Sequence, residues 1–580
     1  MGSSSGGGGI IGINGVGSGG GTKKKYTTFR SRQRANLSFF LVVMFFAVFG
    51  IIVFTEVFFI DERNAGTGSG VLIRHAGYQH GYRKGQEYDE NEDYISIRMG
   101  LGGGAMMNDE TLGALLLGGG GGVPPAVAAA RANPPLPLLL DTLPLNSKDL
   151  IETQLPPYPD NSTLTEGSWQ NVNGTKYKFF VFSAFFDQRR KGQRIIRVIG
   201  ATKTRGPERV WCRLWYKIGD GNSTAHISVT VPAKVWAIRE NWNLKYSACF
   251  ATCALPANRT TIPSTVSVVA HPRDPPGNLL VVHNGNNETH TPPPGYKFGV
   301  CVKPLHFDYN REIQMLEFLE LNRLLGVEHF TFYNHTIGPQ VSCILRDYET
   351  NGMVRLLPWR LNMVSQKEIR TEGLFAALND CMYRSMYKFT HVALIDLDEY
   401  IVPRYNYTLP QLVEHLDRRG NLHSAGALSF QNAFFYLQWS DDESLHSESD
   451  SVAASLVTVR KTRRRAKLHP HKQRSKYICR PEVAVEAGNH FVWELLPGYQ
   501  TKNVHADQAI LHHYRVCEFG GDDCIKTTSV VDRTAYRYKI ALTEAVRSQY
   551  ERLKSKCHLS ELKLPKNQGL SKFFKLLQTR

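Results

Sequence analysis

His391-Val392-Ala393-Leu394-Ile395-Asp396-Leu397-Asp398-Glu399-Tyr400 is a short apolar run that ends in alternating carboxylates. Its length and composition predict a strand. The end of such a strand is where a buried sheet meets a crevice, the place where open α/β sheets bind ligands. Side chains alternate along a strand, so Asp396 and Asp398 are expected on one face if the chain stays extended. Two hard oxygen donors there suit Mg2+ or Mn2+, ions that often bridge a diphosphate.

The sequence before this run alternates in character. Phe298–Val302, Val327–Tyr333, Met353–Leu357 and His391–Asp396 read as strands. Arg311–Leu325, Gln340–Tyr348 and Glu372–Met386 carry helical periodicity. That alternation predicts a mainly parallel sheet with helices on both faces. Further upstream, Phe179–Asp187, Arg194–Ile199, Val210–Tyr216 and His226–Val231 read as strands separated by turns. They predict a smaller β-rich domain that closes at Pro292-Pro-Pro-Gly295. The fold class is α/β.

The first 158 residues have another character. Leu37 to Thr55 is an uncharged apolar run of 19 residues, enough to span a bilayer. Lys23, Lys24, Lys25, Arg30, Arg32 and Arg34 precede it, so the positive-inside rule keeps the N-terminus cytosolic. No small-x-small cleavage site closes the run, which disfavours a cleaved signal peptide. The organisation is then a disordered basic tail over 1–36, a signal anchor over 37–60 and a Gly/Pro-rich stem over 61–158. A β-rich lumenal domain over 159–295, an α/β domain over 296–560 and a basic tail over 561–580 follow. The formal charge of +17 would suit nucleic acid, but a translocated body weakens that reading, and no nucleic-acid partner is expected. Gly15-Val-Gly17-Ser-Gly-Gly20 matches a dinucleotide fingerprint by letter, without the strand and helix that motif needs.

Two further features fit a lumenal body. Sequons begin at Asn161, Asn173, Asn222, Asn258, Asn287, Asn334 and Asn406. All ten cysteines follow the apolar run, and an even set in an oxidising compartment favours disulfides. The dense basic run from Arg460 to Lys476 reads, in a lumen, as a solvated loop.

Several segments, in order, resemble glycosyltransferase family 92. They are Ser183-Ala-Phe-Phe-Asp187-Gln-Arg189, Phe298-Gly-Val-Cys301-Val-Lys-Pro304-Leu and Leu325-Gly-Val-Glu-His-Phe-Thr-Phe-Tyr333. Asn379-Asp380-Cys381, Asp396-Leu-Asp398-Glu399-Tyr400, Lys476-Tyr-Ile-Cys-Arg480-Pro481 and His512-His513-Tyr514-Arg515 complete the set, spanning roughly residues 176–540. The resemblance implies a GT-A-like catalytic domain and a nucleotide-sugar donor. It also implies β-1,4 transfer of galactose from UDP-galactose, with core fucose of N-glycans as acceptor. The expected setting is a Golgi membrane protein of single-pass type II topology.

Within that frame Asp398 is the expected metal ligand and His513 its partner, because a neutral imidazole suits Mn2+ or Mg2+-type sites completed by a late His. His512 and His513 point to opposite faces, so one of them is expected to bind. Asp396, Asp380 and Arg515 are the expected donor contacts, Arg515 through a phosphate. Glu399 is read as orienting neighbours or facing the acceptor. Inversion needs a general base; Asp441, Asp442, Glu443 and Glu494 are available, with Asp442 preferred. Trp439, Tyr436 and Trp493 are candidate platforms for sugar faces, with core packing the alternative. Two rival classes differ in their chemistry. A haloacid-dehalogenase-type phosphatase also places Asp-x-Asp after a strand, but Tyr400 stands where that class wants Thr or Val. A non-catalytic lectin-like or adhesion ectodomain explains the β-rich half, but not the αβ alternation that ends in Asp396 and Asp398.

Overall fold

The computed structural model describes residues 155–159 and 166–562, apart from 219–224, 258–259, 286–294, 421, 443–449 and 518–522. These residues fall in one compact unit. The tail, the anchor expected at 37–60 and nearly all of the stem lie outside them. Among the described residues no helix is long and apolar enough to cross a membrane.

The first half is all β: β1 Gln170–Asn171, β2 Phe180–Asp187, β3 Ile195–Lys203, β4 Val210–Ile218, β5 Ala225–Ala237, β6 Tyr246–Ala254, β7 Thr265–Val269 and β8 Leu280–His283. The sheet order is β1-β2-β3-β6-β5-β4-β7-β8, and β8 returns to pair with β2 in parallel at Ala184–Val282 and Phe185–His283. The strands read from sequence therefore close into a barrel, which removes free edges. Val181, Ala184, Val198, Leu214, Ala251 and Val268 fill its interior. The Cys212–Cys253 disulfide joins β4 to β6 across the intervening β5.

The second half runs β9 Phe298–Cys301, α1 Glu312–Leu324, β10 Val327–Asn334, α2 Pro339–Thr350, β11 Val354–Pro358, α3 Leu374–Ser385, β12 His391–Leu394 and β13 Glu399–Pro403. It continues with α4 Leu409–Gly420, β14 Ala425–Phe430, β15 Asn432–Tyr436, β16 Arg463–Arg465, β17 Lys476–Cys479, β18 Ala484–Ala487 and β19 Val492–Leu495. β20 Gln500–Asn503, β21 Ala509–Arg515, β22 Ser529–Val531 and α5 Lys539–Cys557 end it. The seven-stranded sheet has the order β11-β10-β9-β12-β17-β14-β20. β9, β10, β11 and β12 are parallel, and β17 enters antiparallel to both β12 and β14. The chain moves from β9 outward to β10 and β11, then returns to lay β12 on the other side of β9. β9 and β12 thus flank the switch point of the sheet.

The two halves share a core. Helix α3 is buried along its whole length between them. Phe182, Phe185 and Phe250 of the barrel pack with Trp359, Phe375, Tyr383 and Tyr477. Both faces of β2 are therefore covered, which is why its sequence is apolar on both faces apart from Ser183 and the terminal Asp187. Arg189 stitches the halves by charge: it pairs with Asp187 at 2.9 Å and donates to the carbonyls of Pro481 and Ala484 at 3.0 and 2.7 Å.

Four disulfides form, the other three being Cys301–Cys381, Cys343–Cys557 and Cys517–Cys524. The even set does not pair completely. Cys249 and Cys479 remain free and buried, because they lie in different cores and pack as small hydrophobes. The basic run is not one solvated loop. Arg463–Arg465 forms β16, paired antiparallel with β22, and Arg464 pairs with Asp532 at 2.8 Å.

Glu486 lies at the junction of the halves, accepting from the Arg239 backbone N–H at 2.8 Å. Burial, assisted by Glu494, pushes its carboxyl up to about 7. A carboxyl raised above its unfolded value binds a proton more tightly when folded. Its contribution to stability is complete below about pH 4.5 and is lost as pH rises through about 7. Glu486→Gln is expected to remove that loss, worth about 3 kcal/mol between those limits. Denaturant midpoints at pH 5 and pH 8 test this. A pH dependence unchanged in the variant refutes it.

Candidate functional site

Strand β12 ends at Leu394, and residues 396–399 turn rather than stay extended, with the Glu399 N–H donating to the Asp396 carbonyl at 3.1 Å. The expectation of one shared face for Asp396 and Asp398 is corrected accordingly. The chain must leave one sheet and enter another there, since β13 pairs with β21 and not with β12. Each carboxylate then has its own neighbours. Asp396 Oδ2 lies 2.8 Å from Lys303 Nζ and 3.1 Å from Lys476 Nζ. Burial would raise the Asp396 carboxyl, but the two ammonium groups hold it well below the usual range. Its Oδ1 is buried without a partner in the structure.

Strand pairing brings His513 to the turn from more than a hundred residues away. β13 and β21 are antiparallel with Glu399 opposite His513, and the Tyr514 N–H donates to the Asp398 carbonyl at 2.9 Å. His513 Nε2 then lies 3.3 Å from Asp398 Oδ2. Burial would raise the Asp398 carboxyl too, yet the net effect, led by His513, lowers it. At the other ring nitrogen, Nδ1, stand Glu399 Oε1 at 3.2 Å and the Asn432 amide at 3.0 Å. Glu399 is itself buried, with Lys476 Nζ 3.4 Å from Oε2. It orients His513 and lines the cleft. His512, one residue away, faces the opposite side, packed on Phe435 with burial holding its imidazole down to about 4.

The turn opens into a cleft of about 620 Å³. Its walls come from the loop after β9 (Lys303 to Arg311), the Gln366–Phe375 segment, Trp242 of the barrel half, Arg474, Asn489, His490, and His513 and Arg515 of β21. The loops after β9 and β12 meet here, so the cleft sits at the switch point. Lys303, Arg311, Arg370, Arg474 and Arg515 make its lining cationic, and the N-terminus of α1 adds its dipole. Such a crevice favours a polyanion. Arg370 lies over the Trp242 ring at 4.6 Å, fixing the barrel's contribution to the wall.

Two expected site residues are elsewhere. Asp380 is fully buried on α3, accepting from Arg384 at 2.9 and 3.0 Å and from the Tyr333 hydroxyl at 2.7 Å. Helical spacing puts Arg384 one turn on, so the pair closes on itself and faces no cleft. Asp442 is engaged by Arg533 at 2.9 Å and by the Thr462 hydroxyl at 2.8 Å, also outside the cleft. Asp441 pairs with Arg460 at 2.8 Å and Lys461 at 2.6 Å, and Glu494 pairs with Arg190 and Arg239. Glu443 lies outside the described residues. The expected aromatics are packed as well: Tyr436 and Trp439 on each other, Trp493 against Glu240. Lys303 and Lys476 were not expected at the site. Both stand inside matched motifs, at the ends of apolar runs where an uncompensated lysine is the available signal.

The residues fit a divalent cation completed by substrate. Asp398 offers a carboxylate, His513 an imidazole, and Asp396 a buried unpartnered oxygen. Among the described residues no group of three His, Cys, Asp or Glu is arranged to hold a metal alone. Ions of the Mg2+ class commonly take one or two carboxylates and fill the rest with phosphate and water.

The fold and cleft thus define an α/β protein with a cationic, carboxylate-bearing crevice at its switch point. The model of glycosyltransferase family 92 matches residues 296–558, the span that carries most of the ordered motifs. A glycosyltransferase family 92 protein of Caenorhabditis elegans is 28% identical over 24% of this chain and 30% of its own length. The beta-1,4-galactosyltransferase galt-1 of the same organism is 22% identical over 38% of this chain and 48% of its own. The chain therefore spans less than half the length of either relative. Glucosyl-3-phosphoglycerate synthase from Mycobacterium tuberculosis, solved with phosphoglyceric acid, is 13% identical over 46% of this chain and 82% of that one, with a TM-score of 0.20. A score that low establishes no shared architecture.

Proposed function

We propose that the chain is a metal-dependent glycosyltransferase that moves a hexose from a UDP-sugar to a glycan with inversion. Galactose is the proposed sugar and core fucose of N-glycans the proposed acceptor; the galactosyltransferase among its relatives supports that choice. The observation that carries the reading is Asp398 Oδ2 and His513 Nε2, 3.3 Å apart, where His513 lines a cationic crevice and Asp398 stands in the turn beside it. A divalent cation held by that pair would neutralise the diphosphate as it leaves. Lys303 and Arg515 face the same space and would take phosphate charge directly. Lys476 fixes Asp396 and Glu399, and Glu399 fixes the ring of His513, so the ligands are set before substrate arrives. The proposed location is the Golgi lumen behind a type II anchor, in keeping with four disulfides.

The test is UDP release by the full chain in detergent with Mn2+, across UDP-sugars and N-glycan acceptors, with and without EDTA. Acceptor-dependent release abolished by EDTA is the expected result. Absence of both release and Mn2+-dependent UDP binding would discard the enzyme in favour of a lectin-like ectodomain.

A further inference from the structure

An inverting transfer needs a carboxylate beside the acceptor hydroxyl, and most candidates are committed. Asp441, Asp442 and Glu494 hold cations outside the cleft. Asp396 and Glu399 line it but hold Lys303, Lys476 and His513. Asp308 is the third carboxylate of the lining. Among the described residues its side chain has neither an ion pair nor a hydrogen bond.

The backbone around it is built at a cost. Phe307 and Asp308 have φ of 57° and 50°, a left-handed pair without glycine. Each costs about 1 kcal/mol or more. The Phe307 ring is 88% exposed, so no burial offsets that cost. The loop is nevertheless pinned: the Asp308 N–H donates to Thr336 Oγ1 at 3.1 Å, and the Gly338 N–H donates to the Tyr309 carbonyl at 2.9 Å. Lys303, five residues earlier on the same loop, contacts Asp396 at 2.8 Å. A strained, anchored loop thus holds an uncommitted carboxylate and a bare aromatic face at the rim of the crevice.

We propose that Asp308 is the general base, and that the Phe307 ring is the surface on which the apolar C–H face of the acceptor sugar rests. The assignment rests on the reading of the chain as an inverting glycosyltransferase. The acceptor hydroxyl proton passes to the Asp308 carboxylate. The acceptor oxygen forms its bond to the anomeric carbon, and the bond from that carbon to the β-phosphate oxygen breaks. The electron pair leaves with the nucleoside diphosphate.

The experiment measures kcat of the full chain with a panel of UDP-sugars and a core-fucosylated N-glycan, alongside UDP affinity in Mn2+ by calorimetry. Asp308→Asn is expected to lower kcat by about 100-fold or more, with UDP affinity within about twofold of wild type. Asp308→Glu recovers part of the rate, and Phe307→Ala raises the KM of the acceptor severalfold. Asp308→Asn within about fivefold of an active wild type removes the base assignment alone. Loss of UDP binding in step with kcat removes it too, by making Asp308 a donor contact. A wild type that turns over no sugar of the panel removes the transferase reading, and the base with it.

Discussion

Asp398→Ala is expected to lower sugar transfer by at least about 1,000-fold, the scale for removing a preorganised charge from a reacting centre. The fold should survive. The side chain is a third exposed, and the contact that holds the turn is the Asp398 carbonyl to the Tyr514 N–H, which alanine keeps. The loss is therefore chemical rather than structural. Two measurements separate those cases: the thermal midpoint, expected within a few degrees of wild type, and Mn2+-dependent UDP binding, expected to disappear. His513→Gln should be milder, since Asp398 and the phosphates remain. An Asp398→Ala protein with more than a tenth of wild-type turnover would show that the pair with His513 is an ordinary buried contact.

The β/α alternation was legible because apolar periodicity reports burial, and burial is what fixes those elements. The ends of β10, α1 and β12 fall within a few residues of their expected positions. Barrel closure was not legible: β2 and β8 meet over two residue pairs nearly a hundred positions apart, and no local pattern encodes such a contact. The site divides the same way. Asp398 stands at the end of an apolar strand, and His513 ends another, so both announced themselves. Asp442 looked available because sequence shows a carboxylate but not the arginine that occupies it. Asp308, proposed as the base, carried no signal, since what singles it out is a backbone angle and a side chain without a partner among the described residues.

Arg384→Met is expected to destabilise the protein by about 3–5 kcal/mol, the cost of stranding a buried charge. Asp380 is wholly buried, and burial alone would raise its carboxyl; Arg384 reverses that and holds it lowered. The guanidinium meets both carboxylate oxygens, at 2.9 and 3.0 Å, and also reaches Glu166. Removing it leaves the buried Asp380 carboxylate with neutral hydroxyls such as that of Tyr333 and no cation against it. Asp380→Asn added to Arg384→Met should recover part of the loss, because the stranded charge goes with it. Neither change should alter the donor KM of the protein that remains folded, since the pair faces α3 and β10 rather than the crevice. Denaturant midpoints and donor KM measured together decide the matter: normal stability with weakened donor binding would return Asp380 to the site from which its burial removes it.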